Sequence, residues 1–379
     1  YFVMAIPSGI LLKKVGFKRG IMYGFMLTAL GAFLFVPAAL VRQFEIFLIG
    51  LFSIGTGLAI LQTAANPYVT IIGPIESAAR RISIMGICNK FAGIISPLIF
   101  AALILKADDS ELFSLIESGT LDAITKSAML DELIQRVIVP YAILGGLLVL
   151  AGIGIRYSIL PEINTDEQNA TDEKENGHNS KKSIFDFPYL ILGALAIFFH
   201  VGTQVIAIDT IINYANSMGI DLLEAKVFPS YTLACTMIGY VLGILIIPKY
   251  VSQTKALIIC TILGLLLSFG VVFADFNVTL FGHQANISIF LLCALGFPNA
   301  LIYAGIWPLS IHGLGKFTKT GSSLLIMGLC GNAILPLIYG YFAEVYDLRI
   351  GYWILIPCFL YLIFFATKGH KINSWKRNY

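Results

Sequence analysis

Stretches of about 20 consecutive apolar residues, the length that carries an α-helix across the hydrocarbon of a bilayer, recur along this 379-residue chain. They fall at roughly 20–41, 44–72, 82–105, 138–160, 188–214, 226–248, 255–274, 284–307, 319–343 and 350–367. Composition agrees: 58% of residues are hydrophobic and 12% charged, against about 45–50% and about 25% in soluble domains. The chain is read as an all-α polytopic membrane protein. A half-length window, 1–12, opens it with no Met, no charged leader and no cleavage signal. It reads as the cut edge of a longer sequence rather than a signal peptide.

Lys and Arg set the orientation of such a chain. If the windows alternate across the membrane, one side receives Lys13, Lys14, Lys18, Arg19, Arg80, Arg81, Arg156, Lys174, Lys181, Lys182, Lys249, Lys255, Lys316, Lys319, Lys368, Lys371, Lys376 and Arg377. The other side receives Arg42, Lys106, Lys126, Arg136, Lys226 and Arg349. The threefold bias places the first side, with the C-terminus, in the cytoplasm. All six cysteines fall inside apolar windows without metal-type spacing, so they read as small packing residues. No metal or cofactor is expected.

A polar stretch, "PEINTDEQNATDEKENGHNSKKSIFDFP", separates two apolar halves and lacks the aliphatics for a packed core. The halves echo each other. "IMGICNKFAGIISPLI" at 84–99 matches "IMGLCGNAILPLI" at 326–338, Pro67 pairs with Pro308, and Pro7 pairs with Pro248, all about 240 residues apart. Parallel repeats of this kind build transporters from two six-helix halves. The expected organisation is a helical bundle over 1–160, a cytoplasmic linker over 161–187, a six-helix bundle over 188–368 and a cytoplasmic tail over 369–379. Helix 188–214 then requires a partner before Tyr1, so the first helix and part of the second are expected to be missing.

"LQTAANPYVTIIGPIESAARR" at 61–81 places two amides and a proline inside an apolar run. A polar side chain in hydrocarbon costs several kcal/mol unless it meets a partner or a water-filled cavity. Gln62 and Asn66 stand four apart, on one helix face, and Pro67 frees a backbone group that a cavity-lining helix tolerates. Together they form a sugar-sized polar notch. The next helix brings Asn89 and Lys90 to a similar depth. Amides both donate and accept, which suits vicinal hydroxyls.

The second half repeats the pattern with Asn299, Trp307 before Pro308, and Asn332. Trp307 is either a stacking surface for a sugar ring or an interfacial anchor. In "FFHVGTQVIAID", His200 and Gln204 lie one turn apart and Asp209 follows. His200 suits a proton relay or a plain hydrogen-bond partner, Asp209 a coupling carboxylate or an outer-vestibule residue. The amides could alternatively hydrogen-bond between packed helices, and Lys90 could pair with an acid or snorkel. The sites expected are Gln62, Asn66, Asn89, Gln204, Asn299, Trp307 and Asn332 for substrate, and His200, Asp209 and Lys90 for coupling. Pro67 and the basic residues Lys13, Lys14, Lys18, Arg19, Arg80 and Arg81 are expected to serve gating.

"SGILLKKVGFKRG" at 8–20 resembles the loop motif of major facilitator proteins, without its usual Asp. "GLAILQTAANPYVTIIGPIESAARRISIMGICNKFAGIISPLIFA" at 57–102, "HVGTQV" at 200–205 and "TGSSLLIMGLCGNAILPLIYG" at 320–340 resemble the glucose/galactose and fucose permease branch of that superfamily. The resemblance implies a major facilitator fold and alternating access, with one sugar bound between halves and driven by H⁺ or Na⁺. Proton-coupled fucose members carry Glu where this chain has Gln62, and a Gln carries no proton. Gln62 resembles the hexose-transporting members, which favours glucose or galactose over fucose or N-acetylglucosamine. Asn89 matches the sugar-contacting Asn of the family, whereas Gly86 replaces a polar residue of the fucose permeases.

An enzyme would need a nucleophile with its base, or clustered ligands, in the spans. His200, His283 and His312 are scattered, and neither GxSxG nor HExxH occurs. A sugar sensor would need an output domain, and the polar linker and tail are too short for one. The expected partners are a monosaccharide and the lipid of the cell (inner) membrane, with no nucleic acid, and the functional unit is expected to be a monomer.

Overall fold

The computed structural model describes residues 2–104, 125, 131, 134–163 and 183–375. Lys106, Lys126, Lys174, Lys181, Lys182, Lys376 and Arg377, and 164–182 of the expected linker, lie outside the described residues. Every apolar window becomes helix. In chain order these are α1 Phe2–Val15, α2 Phe17–Val41, α3 Phe44–Ile71, α4 Ala78–Ile104, α5 Ile138–Tyr157, α6 Pro188–Asp209, α7 Ile211–Ser217, α8 Leu222–Ala225, α9 Phe228–Ile246 and α10 Gln253–Phe273. They continue as α11 Ile287–Ala294, α12 Gly296–Ile311, α13 Thr318–Met327, α14 Gly331–Val345, α15 Leu348–Gly351 and α16 Leu355–Thr367. Among the described residues, nine helical stretches are long and apolar enough to cross a membrane. At 27 residues and about 1.5 Å per residue, α4 is also long enough, although it carries Arg80, Arg81 and Lys90.

Packing groups the described chain into two compact units. One holds Lys14–Ala64 and Phe91–Glu162, and the other Tyr1–Lys13, Ala65–Lys90 and Ile163–Tyr379. In the first unit α2 lies along α5. Phe35 stacks flat on Tyr141 with ring centroids 4.4 Å apart, and Lys18 donates to the Ser158 carbonyl at 2.6 Å, a cation placed at the C-terminal end of α5 where the helix dipole favours it.

In the second unit α6 is central and packs against α12, α13, α14 and α16. Its core includes Trp307, Tyr214, Tyr352, Phe228, Phe359 and Phe365, all fully buried. The 319–343 window is two helices, α13 and α14, joined by the 3-10 turn Gly328–Cys330. A Cβ on Gly328 would lie 2.5 Å from the Ala194 carbonyl oxygen of α6, so the break sits where two backbones touch and only glycine fits.

Two further windows depart from a single helix. The 284–307 window begins in a β-hairpin, Asn277–Leu280 paired with His283–Asn286, so the chain is not purely α-helical. Phe281 and Gly282 hold φ of 54° and 83° at its tip, both positive as a two-residue hairpin turn requires. The 188–214 window is broken at Thr210, between α6 and α7. Pro67 does not interrupt its helix, since α3 runs through it to Ile71.

Candidate functional site

Asn66, near the C-terminal end of α3, is only 5% exposed and donates from Nδ2 to the Tyr303 hydroxyl of α12 at 3.0 Å. A buried amide needs this bond. Around Tyr303 lie the His200 ring of α6, with centroids 6.0 Å apart, and the indole of Trp307, edge-on at 6.1 Å. One helical turn separates Asn299 from Tyr303 and another separates Tyr303 from Trp307, so the three share one face of α12. Lys90 of α4 is half-buried.

The predicted residues fall into three groups by exposure. Asn66, His200, Asn299 and Trp307 are buried. Gln62, Gln204 and Lys90 are half-buried, while Asn89, Asn332 and Asp209 are exposed. Tyr303, which sequence reasoning did not select, is half-buried. Its spacing of four from both Asn299 and Trp307 was the signal that could have found it. The repeat also pointed to it, since Gln62 and Tyr303 are separated by the same interval as Pro67 and Pro308.

Trp307 has no exposed surface, which removes the interfacial-anchor alternative, since such an anchor sits at the headgroups. Neither ring nitrogen of His200 has a hydrogen-bond partner within the described residues, and the same holds for Asn299 Oδ1 and Trp307 Nε1. Each such group costs about 1–3 kcal/mol. Four such atoms stand on α6 and α12. Asp209 is the last residue of α6.

Arg81, expected to serve gating, has a structural task. Its guanidinium donates to the carbonyls of Val69 at 2.7 Å, Thr70 at 2.6 Å, Gly73 at 3.2 Å and Pro74 at 3.0 Å, and to Ser77 Oγ at 2.7 Å. It thus satisfies the end of α3 that carries Asn66 and Pro67. Arg80, Lys13, Lys14 and Arg19 are exposed and Lys18 is half-buried. All six cysteines are free, and no group of His, Cys, Asp and Glu among the described residues could hold a metal.

Known proteins resemble this chain along most of its length. A "Glucose/galactose transporter" of Brucella abortus biovar 1 (strain 9-941) is 31% identical over 376 residues, covering 98% of this chain and 83% of the relative. The "L-fucose-proton symporter" of Escherichia coli (strain K12) is 31% identical over 371 residues, covering 97% and 81%. The crystal structure of FucP, a Major Facilitator Superfamily transporter in the outward conformation, matches with a TM-score of 0.82 at 27% identity, covering 99% of this chain and 87% of that one. The Major Facilitator Superfamily model itself matches residues 1–329. With its helices, its polar notch on α3 and α12, and its relatives in agreement, this chain belongs to the Major Facilitator Superfamily, a family of membrane carriers rather than enzymes.

Proposed function

We propose that this chain imports a neutral hexose of the glucose or galactose type across the cell membrane by alternating access, together with a proton. The observation that carries the reading is the hydrogen bond from Asn66 to Tyr303. It joins two proline-containing helices, α3 and α12, and polar pairing inside apolar segments is expected where a carrier holds its substrate. Gln62, Asn89, Gln204 and Asn332 supply amides that donate to and accept from sugar hydroxyls. Tyr303 offers a ring face and a hydroxyl, while Asn66, His200, Asn299 and Trp307 hold the layer behind it.

The two halves, 1–160 and 188–368, would rock about this layer, with the linker 161–187 and the C-terminus in the cytoplasm as the Lys/Arg bias requires. The names of the relatives support a monosaccharide as cargo and a proton as the driving ion. Gln62 cannot titrate, so the coupling proton falls to another group, and His200, Lys90 and Asp209 are the candidates. An equally similar relative is named for L-fucose, which keeps fucose as the second reading.

The test is uptake of labelled glucose into proteoliposomes, with galactose, fucose and N-acetylglucosamine as competitors, under an imposed proton gradient or an imposed Na⁺ gradient. Saturable uptake, competed by galactose and accelerated only by the proton gradient, is the expected result. Uptake competed by fucose alone would replace the hexose, and uptake indifferent to both gradients would remove the coupling.

A further inference from the structure

We infer that the chain carries a second, anionic binding site, for a phosphate group, at the cytoplasmic end of the bundle and away from the sugar layer. A cavity of about 290 Å³ is lined by Lys13, Lys316, Phe317 and Lys319, at the lower end of the range for small-ligand sites. Three of these four residues are lysines, and no carboxylate lines it among the described residues. Lys13 and Lys316 are exposed, but Lys319 is only 9% exposed, which is unusual for a lysine. Lys316 Nζ lies 5.4 Å from the Phe317 ring centroid, so an apolar wall and a cation share one side.

The backbone adds to the field. Lys319 stands in the first turn of the ten-residue helix α13, whose N-terminal end carries positive partial charge and favours anions. Across the cavity, α1 brings Lys13 from a different part of the sequence. It approaches α13 closely: a Cβ on Gly9 would lie 3.1 Å from Ser323 Cβ and 3.3 Å from the Lys319 carbonyl oxygen. Lysines from α1 and α13 brought together repel one another, and a multiply charged anion between them turns that repulsion into a tie. Phosphate supplies the charge and the acceptor oxygens, either as the headgroup of an anionic lipid or as a soluble phosphorylated molecule.

The site is tested by binding, independently of transport. The detergent-solubilised protein would be titrated with phosphatidylglycerol and, separately, with inorganic phosphate, each against phosphatidylcholine or chloride at equal ionic strength. Native mass spectrometry reads the lipid and calorimetry the phosphate. Removing a lysine near an anionic phosphate weakens binding about fivefold, so the double variant Lys13→Ala/Lys316→Ala is expected to bind about 25-fold more weakly. Lys13→Arg/Lys316→Arg should keep the binding. Both residues are exposed, so the variants should fold, which an unchanged thermal midpoint without added anion would confirm. Loss confined to phosphatidylglycerol identifies a lipid site, and loss confined to inorganic phosphate identifies a soluble ligand. Binding of neither, or binding equal in wild type and the alanine variant, overturns the site.

Discussion

Replacing Tyr303 with Phe removes one oxygen and leaves the ring. The contacts with His200 and Trp307, at centroid distances of 6.0 and 6.1 Å, therefore persist, while the 3.0 Å bond from Asn66 is lost. Asn66 is 5% exposed, so its amide hydrogens have no ready water. A buried donor left unsatisfied costs about 1–3 kcal/mol, whereas hydrogen bonds between membrane helices average about 0.6 and reach about 1.7 kcal/mol. The second range applies when the denatured state also finds partners, as it does in detergent. A double-mutant cycle with Tyr303→Phe and Asn66→Ala, read by reversible denaturation in micelles, should thus give a coupling of about 0.6–1.7 kcal/mol. Additivity within about 0.3 kcal/mol would show that the two side chains do not hold each other, and the link between α3 and α12 would fall with it.

Arg81→Gln should cost about 2–3 kcal/mol, since a charged fork on several carbonyls at the end of α3 is lost. Arg81→Lys should recover only part of it, and amide exchange over 68–77 would report the fraying. Gly86→Ala places a Cβ 2.5 Å from the ring of Tyr240, which is buried. Overpacking at about 1–3 kcal/mol outweighs the gain of about 1 kcal/mol from alanine in a helix, and Tyr240→Ala should relieve the clash in a denaturation assay. The Asp275 carboxylate accepts from Asn286 at 2.8 Å and pairs with Arg349 at 3.1 Å, and these contacts hold it below the usual carboxylate range. Its contribution is therefore complete above the unfolded value of about 3.9 and is lost as pH falls through the lower folded value. Amide exchange in the hairpin Asn277–Asn286 should rise on acidification in wild type and be less pH-dependent in Asp275→Asn.

The spans were legible because the bilayer imposes one length and one composition on every crossing helix, and the amides of α3 stood out because polar side chains are costly in hydrocarbon. Other features depended on contacts that a linear pattern does not contain. Tyr303 hid as one aromatic among many in an apolar helix, and its role comes from meeting Asn66, 237 residues away. Arg81 stands in the sequence as one cation among the basic loops, whereas its bonds to the end of α3 depend on the tight turn at Gly73 and Pro74. The hairpin was missed because its strands are four residues each, too short to stand out against the helical windows beside them. Glycine breaks such as Gly328 are set by a neighbouring backbone, and the sequence records only that no side chain is present.

The most direct test of the sugar layer is galactose binding to the purified protein, followed by the fluorescence of Trp307, whose indole lies beside Tyr303. Gln62 is half-buried, and losing one neutral hydrogen bond costs about 0.5–1.5 kcal/mol. Gln62→Ala should therefore raise Kd by about 2- to 12-fold with an unchanged melting profile. Wild-type binding that Gln62→Ala and Tyr303→Phe both leave intact would place the sugar elsewhere and contradict the account.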